Sequence, residues 1–305
     1  MIETYGVSIM ELRHLRYFVQ VAEDLHFARA AAHLGISQPP LSQQIRSLEE
    51  ELGVRLLERT SRRVALTAAG AAFLDAARRT LAEAEHAVLV ARRAARGEIG
   101  DLRIGFNASA PFIPRVAAAM HAFRQHYPDV RLSLTEVAGP AQIEAITDGA
   151  LDIGFMRSAV PPILPPHLTT TRIVAERLMV AMRPDHPLAV RETLALADLG
   201  GQALVVYASD RSGGITEELM TLMRDAGAQP RIAQSVREVS TLFGLVAAGI
   251  GITVIAESLC ALQSAGLTYR RLEDAHAATA MWLVHARHAT LASENFVRIV
   301  EAAEK

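Results

Sequence analysis

Gln38, Ser42, Gln43 and Arg46 fall at helical spacing and form a polar face opposite an apolar one made by Leu41, Ile45, Leu48 and Leu52. Glutamine and arginine each offer paired hydrogen bonds that match base edges, and serine fits close to a backbone. The chemistry open to such a face is recognition of duplex DNA from the major groove. An ordinary helical hairpin with a solvated polar face fits the same pattern, and the pattern alone leaves both readings open. A second candidate is Arg157, directly after LDIGFM. Arginine at the end of a buried strand is costly unless paired, and its partner is either a carboxylate ligand or a protein acid such as Asp152.

The elements around the polar face must position it. Phe27, Ala30, Ala31 and Leu34 give a preceding helix one buried stripe, and Gly35 closes it in left-handed geometry. Ser37 is a natural N-cap, and Pro39 and Pro40 suit a first helical turn, so the second helix is expected to begin near Pro39. Leu12, Leu15, Phe18, Val19 and Ala22 line an earlier helix, with Arg13, His14 and Arg16 on its outer face, for phosphate or merely for solvent. Residues 54–59 and 64–66 read as short strands around Thr60, Ser61, Arg62 and Arg63, a winged addition to the helix-turn-helix. Four arginines face only Glu58 there, which suits phosphate or a narrow minor groove.

Thr67 is expected to cap a helix running to about Arg96, with Ala77, Leu81, Ala84, Val88, Ala91 and Ala95 stepping in a coiled-coil rhythm. A rod of about 45 Å with such a seam implies a second chain, since no adjacent element is at hand to cover it. Two-fold pairing would present two reading helices to an inverted repeat.

After the break at Gly97–Gly100, short apolar runs at 102–106, 130–135, 151–155, 203–207, 232–236 and 251–255 alternate with helical patterns. That grammar predicts an α/β body with largely parallel sheets. A longer strand at 173–182, a returning strand at 279–285 and a closing helix at 291–303 predict two lobes with crossings near 161–168 and 272–278. Ligands in such folds bind where loops leave strand carboxyl ends and helix N-termini begin. Three loops qualify: Asn107, Ala108, Ser109 and Ala110; Ala138, Gly139 and Pro140; and residues 209–214, headed by Ser209 and Asp210. Each could equally be a helix cap and nothing more.

The segment ELRHLRYFVQVAEDLHFARAAAHLGISQPPLSQQIRSLEEELGVRLLERTSRRVALTAAG closely resembles the amino-terminal domain of LysR-type transcriptional regulators. The resemblance implies DNA contacts from Ser37, Gln38, Pro39, Ser42, Gln43 and Arg46 on the reading helix, and from Arg59, Arg62 and Arg63 on the wing. It implies a dimerising linker helix, a tetramer, and a two-lobed effector domain like type 2 periplasmic binding proteins. The fold is therefore expected to be multidomain: an all-α winged helix-turn-helix domain, a long linker helix, and an α/β two-lobed domain. The boundaries are residues 1–9 as an extension, 10–67, 68–97 and 98–305, with lobe 1 at 98–165 and 276–305 and lobe 2 at 166–275. Within the family, VREVSTLFGLVAAGIGITVIAES resembles regulators of benzoate, muconate and chlorocatechol breakdown. Relatives carry arginine at the position of Arg157 and a ligand-binding hydroxyl at that of Ser109, but often Ser or Thr where this chain has Gly139. A small aromatic or dicarboxylic acid effector is implied, bound by Asn107, Ser109, Gly139, Arg157, Ser209 and Asp210, with RNA polymerase a partner if the protein activates.

At 305 residues, half of them hydrophobic, the chain has room for about two domains. The net charge of −2 gives no global signal for nucleic acid, so the local arginine patch matters more. Lys305 is the one lysine, which reads as a genome-composition bias. No apolar run is long enough to span a bilayer and MIETYGVSIM does not resemble a signal peptide, so a cytoplasmic location is expected. Cys260 stands alone, which excludes an internal disulfide. The family resemblance begins at Met10, so translation could start there, which mass spectrometry of natively expressed protein would decide. A transporter's solute-binding protein would share the two lobes but has no use for residues 10–96. An enzyme is disfavoured: His285 and His288 lack a supporting acid or cysteine cluster, and AAGIGI lacks the third glycine of a dinucleotide loop. No metal site and no cofactor are expected.

Overall fold

Apolar spacing and left-handed stops shape the first three helices: α1 (Leu12–Asp24), α2 (Phe27–His33) and α3 (Gln38–Leu52). The structure, a computed structural model, describes residues 10–60, 63–208, 215–229 and 231–303. Gly35 (φ 66°) ends the α2 turn and Gly53 (φ 68°) ends α3, both in the region that glycine enters without strain. Leu15, Phe18, Val21 and Ala22 of α1 pack on Phe27, Ala30, Leu41, Ile45 and Leu48. Leu12, expected in the α1 stripe, is exposed instead, and Val21 takes the buried place. β1 (Leu57–Arg59) pairs antiparallel with β2 (Val64–Leu66) to make the wing.

Thr67 caps α4 (Ala68–Ala94) as expected, its Oγ1 accepting from the Gly70 amide at 2.9 Å. Gly70 is required by proximity, since a Cβ there would lie 2.0 Å from the Leu56 carbonyl oxygen. The helix ends at Ala94 rather than Arg96, and Gly97 (φ 67°) follows its last turn. Its own domain covers more of the seam than expected. Ala77 is buried, and Phe73, Leu74 and Leu81 pack on the winged-helix core. Beyond that point Val88, Leu89 and Val90 are about half exposed.

The chain divides into two compact units, residues 1–92 and 93–305. In the second, β3 (Gly100–Phe106), α5 (Pro114–His126), β4 (Val130–Glu136), α6 (Gly139–Thr147) and β5 (Ile153–Ser158) build a parallel β4-β3-β5 unit. β6 (Leu168–Met182) leaves it, and β7 (Thr193–Leu194), β8 (Ala203–Tyr207), α7 (Ile215–Asp225), β9 (Arg231–Val236), α8 (Val239–Ala247), β10 (Thr253–Ala256) and β11 (Thr268–Leu272) build a second lobe. β12 (Ala278–Ala286) returns antiparallel between β5 and β6, and α9 (Leu291–Ala302) closes lobe 1. The order β4-β3-β5-β12-β6-β11-β7, with β10 also on β6, is mixed rather than largely parallel. Crossing strands cause this, since both return paths must pair antiparallel with what they leave.

The first crossing corrects the expected lobe boundary. Residues 168–177 of β6 pair with β12 in lobe 1, while Leu178–Met182 pair with β10 and β11 in lobe 2. The chain therefore changes lobe inside one strand, at Arg177–Leu178, and not at 165. Lobe 1 packs Leu102, Ile104, Phe123, Phe155 and Phe296, whereas lobe 2 has separate cores around Leu204 and Met223 and around Val205 and Phe243.

Candidate DNA-contact face and effector site

The outward face of α3 carries Gln38, Pro39, Gln43 and Arg46 exposed, with Ser42 half-buried and Ser37 exposed at the N-cap. Ser37 has cap geometry (φ −79°, ψ 153°), but its side chain makes no capping hydrogen bond. His14 of α1 meets Gln44 at 2.8 Å, fixing α3 from behind while Gln43 stays outward. Glu49, which sequence reasoning missed, joins α3 to the wing. Its Oε1 accepts from the Leu56 and Leu57 amides at 2.9 and 3.0 Å, and its Oε2 takes the Arg59 guanidinium at 2.6 Å.

Arg59 was expected to reach phosphate, but it turns inward. It pairs with Glu49 and stacks 4.9 Å over the Phe27 ring, and burial pulls its guanidinium below the ordinary arginine range. It holds the wing on α3. Arg63 is exposed and hydrogen-bonded through its backbone to Thr60, and Arg62 lies outside the described residues.

In the second unit, three sequence-predicted residues meet in one chain of hydrogen bonds. Ser109 donates to Asn107 Oδ1 at 3.1 Å and accepts from Arg157 Nε at 2.7 Å. Arg157 Nη2 lies 2.6 Å from Glu176 Oε2 and donates to Ser258 Oγ at 3.3 Å, while the Ser258 amide donates to Glu176 Oε1 at 2.7 Å. The acid beside Arg157 is thus Glu176 and not Asp152, which forms a two-pronged pair with Arg103. The side chains of Arg157 and Glu176 are only 4% and 9% exposed. Burial pulls the Arg157 guanidinium below its ordinary value, and the Glu176 carboxylate opposes that.

The network spans the lobes, since Ser109 and Arg157 stand at the ends of β3 and β5 while Ser258 follows β10. Arg157 Nη1 is buried and has no hydrogen-bond partner among the described residues. Two further links cross the seam beside it, from Ser158 Oγ and the Ala159 amide to the Glu218 carboxylate on α7, at 2.8 and 2.9 Å.

Gly139 opens α6 but takes no part in this network. A Cβ there would lie 3.3 Å from the Met156 methyl. Gln142, fully buried, fixes the same loop by donating to the Val137 and Phe155 carbonyls at 2.7 and 3.1 Å. Ser209 and Asp210 lie outside the described residues. Glu176 and Ser258 escaped sequence reasoning: Glu176 shares its strand with Arg172, Arg177 and three threonines and does not stand out, and Ser258 ends the motif-bearing segment without a signal of its own.

Two family descriptions match the chain: "Bacterial regulatory helix-turn-helix protein, lysR family" over residues 12–71 and "LysR substrate binding domain" over residues 95–304. The Escherichia coli K12 protein YnfL, described as an uncharacterized HTH-type transcriptional regulator, is 44% identical over 92% of this chain and 93% of its own length. BenM, a transcriptional regulator of Acinetobacter baylyi, is 40% identical over 90% of this chain and 89% of its own. The BenM effector-binding domain with its effector benzoate superposes with a TM-score of 0.59 at 31% identity, covering 67% of this chain and 90% of that one. Full-length CbnR complexed with its target DNA superposes with a TM-score of 0.82 at 31% identity, covering 97% of this chain and all of that one.

Proposed function

The chain belongs to the LysR family of ligand-responsive transcriptional regulators, and from that premise we propose a division of labour among its residues. Gln38, Ser42, Gln43 and Arg46 read bases in the major groove, Ser37 and Pro39 approach the backbone, and Arg62 and Arg63 touch phosphate or the minor groove. The observation that carries this is the exposure of that face on a helix held by His14, Glu49 and Arg59. CbnR bound to its target DNA supports it.

The exposed apolar half of α4 pairs two chains, which assemble further to a tetramer and read an inverted repeat. The interlobe site takes a small carboxylate, an aromatic or dicarboxylic acid, on Arg157 and Ser109, with Asn107 beside them and the Gly139 loop closing over it. The unpartnered Arg157 nitrogen is the feature favouring an anion, and BenM with benzoate supports the choice. Binding shifts the protein between states only as far as the ligand's affinity differs between them.

A gel-shift with the DNA upstream of the gene, repeated at two salt concentrations, tests the first part. Retention that is specific and weakens with salt is expected; failure to retain any duplex would overturn it.

A further inference from the structure

Resting on the reading of α3 as the DNA-contacting face, we infer that Arg55, at the root of the wing, binds a backbone phosphate beside the bases that α3 reads. A hollow of about 590 Å³ lies between the later turns of α3 and the chain entering β1, with Arg46, Glu49 and Glu50 on the helix side and Arg55 and Arg59 on the other. That is room for a phosphate group together with several waters, at about 30 Å³ for each water. Arg46 belongs to the outward face of α3, so the hollow adjoins that face.

The charges around the hollow are unequally committed. Glu49 is taken up by Arg59 and by the Leu56 and Leu57 amides. Arg46, Arg55 and Glu50 are exposed, and among the described residues none of the three has a side-chain hydrogen bond or an ion pair. Two uncommitted guanidiniums against one carboxylate leave one positive charge in excess, and like charges facing one hollow repel until an anion joins them. Burial lowers the Arg59 guanidinium most, Glu49 opposes that, and the fields of Arg46 and Arg55 lower it further, so both act on the same place.

The backbone that carries Arg55 is fixed on both sides. Gly53 turns the chain out of α3 at φ 68°, and the Val54 amide donates to the Glu49 carbonyl at 3.2 Å. The Arg55 carbonyl accepts from the Thr67 hydroxyl at 2.8 Å, and the next two amides are held by Glu49. Arg55 therefore projects from a rigid point, and it loses less freedom on meeting a phosphate than a side chain on a loose loop would. No base discrimination is expected of it, since the phosphate is the same at every step of the duplex.

Fluorescence anisotropy of the full-length protein on the upstream duplex and on a scrambled one, each at several salt concentrations, tests this. Arg55→Gln should weaken both duplexes equally, roughly two- to tenfold, and reduce the slope of log affinity against log salt by about 0.9 per protomer. Arg55→Lys should keep the slope, because lysine supplies the charge without the planar fork. Neither variant should shift the melting curve. An unchanged slope in Arg55→Gln, a slope that drops equally in Arg55→Lys, or a loss confined to the specific duplex would overturn the phosphate contact and leave α3 as the reading face. If the unaltered protein holds neither duplex, both readings fall.

Discussion

Arg46 and Arg157 show how position sets what one guanidinium does. Arg46 is exposed on α3 beside Gln43, where a paired contact to a base edge is open to it. Arg46→Ala should weaken operator binding by about 1–3 kcal/mol while leaving thermal stability unchanged, as fluorescence anisotropy with the specific duplex and a scrambled one would measure. Equal loss on both duplexes would reassign it to phosphate. Arg157 is buried against Glu176, so removing it strands a carboxylate. Arg157→Met is expected to destabilise the second unit by about 3–5 kcal/mol, and adding Glu176→Gln should restore much of that. Calorimetric melting of the single and double variants checks the pair, and a double variant no more stable than the single one would refute the coupling.

At the scale of elements, α4 serves two masters. Its first turns are anchored by Thr67 and covered by the winged-helix core, and its later turns carry Val88, Leu89 and Val90, each about half exposed. Val88→Asp should therefore shift the protein from dimer to monomer in sedimentation velocity without loss of helix content, since burying each such side chain contributes about 1.5–3 kcal/mol. An unchanged sedimentation coefficient would place the dimer contact elsewhere. Elements were the most legible feature of the sequence. Periodicity and glycine stops located α1 to α4 and strands β3, β4, β8 and β9 to within a residue or two, because local propensity and burial agree there. What escaped was long-range: β11, held between β6 and β7, and the two-residue β7 at the sheet edge are short pieces made strands only by pairing with distant partners. The same reason hid Glu49 and Glu176. Neither has a local signature, and each earns its role from a residue 10 or 19 positions away, Arg59 and Arg157.

The second unit as a whole is two lobes tied at the seam by residues 157–159. Arg157 reaches Ser258, and Ser158 with the Ala159 amide grips Glu218, so the arginine we propose for the ligand and the interlobe clasp are neighbours on one strand end. Occupancy of the first is well placed to alter the second. Glu218→Ala should accelerate hydrogen exchange at the Ala159 amide by roughly 10–100-fold, the loss of a hydrogen bond to a charged acceptor being about 1.5–3 kcal/mol. Exchange at Phe155, in the core of the same strand, should not change, and an Ala159 amide equally slow in both proteins would remove Glu218 from the clasp.

β6 belongs to both lobes, and its switch point at Arg177 sits directly across from Ala278 of β12. Everything between those two positions is, topologically, a guest spliced into a hairpin of the host. A tight two-residue turn bridges neighbours in an antiparallel pair. This point is accordingly where an engineer would graft a different sensing module without disturbing the host's hydrophobic interior.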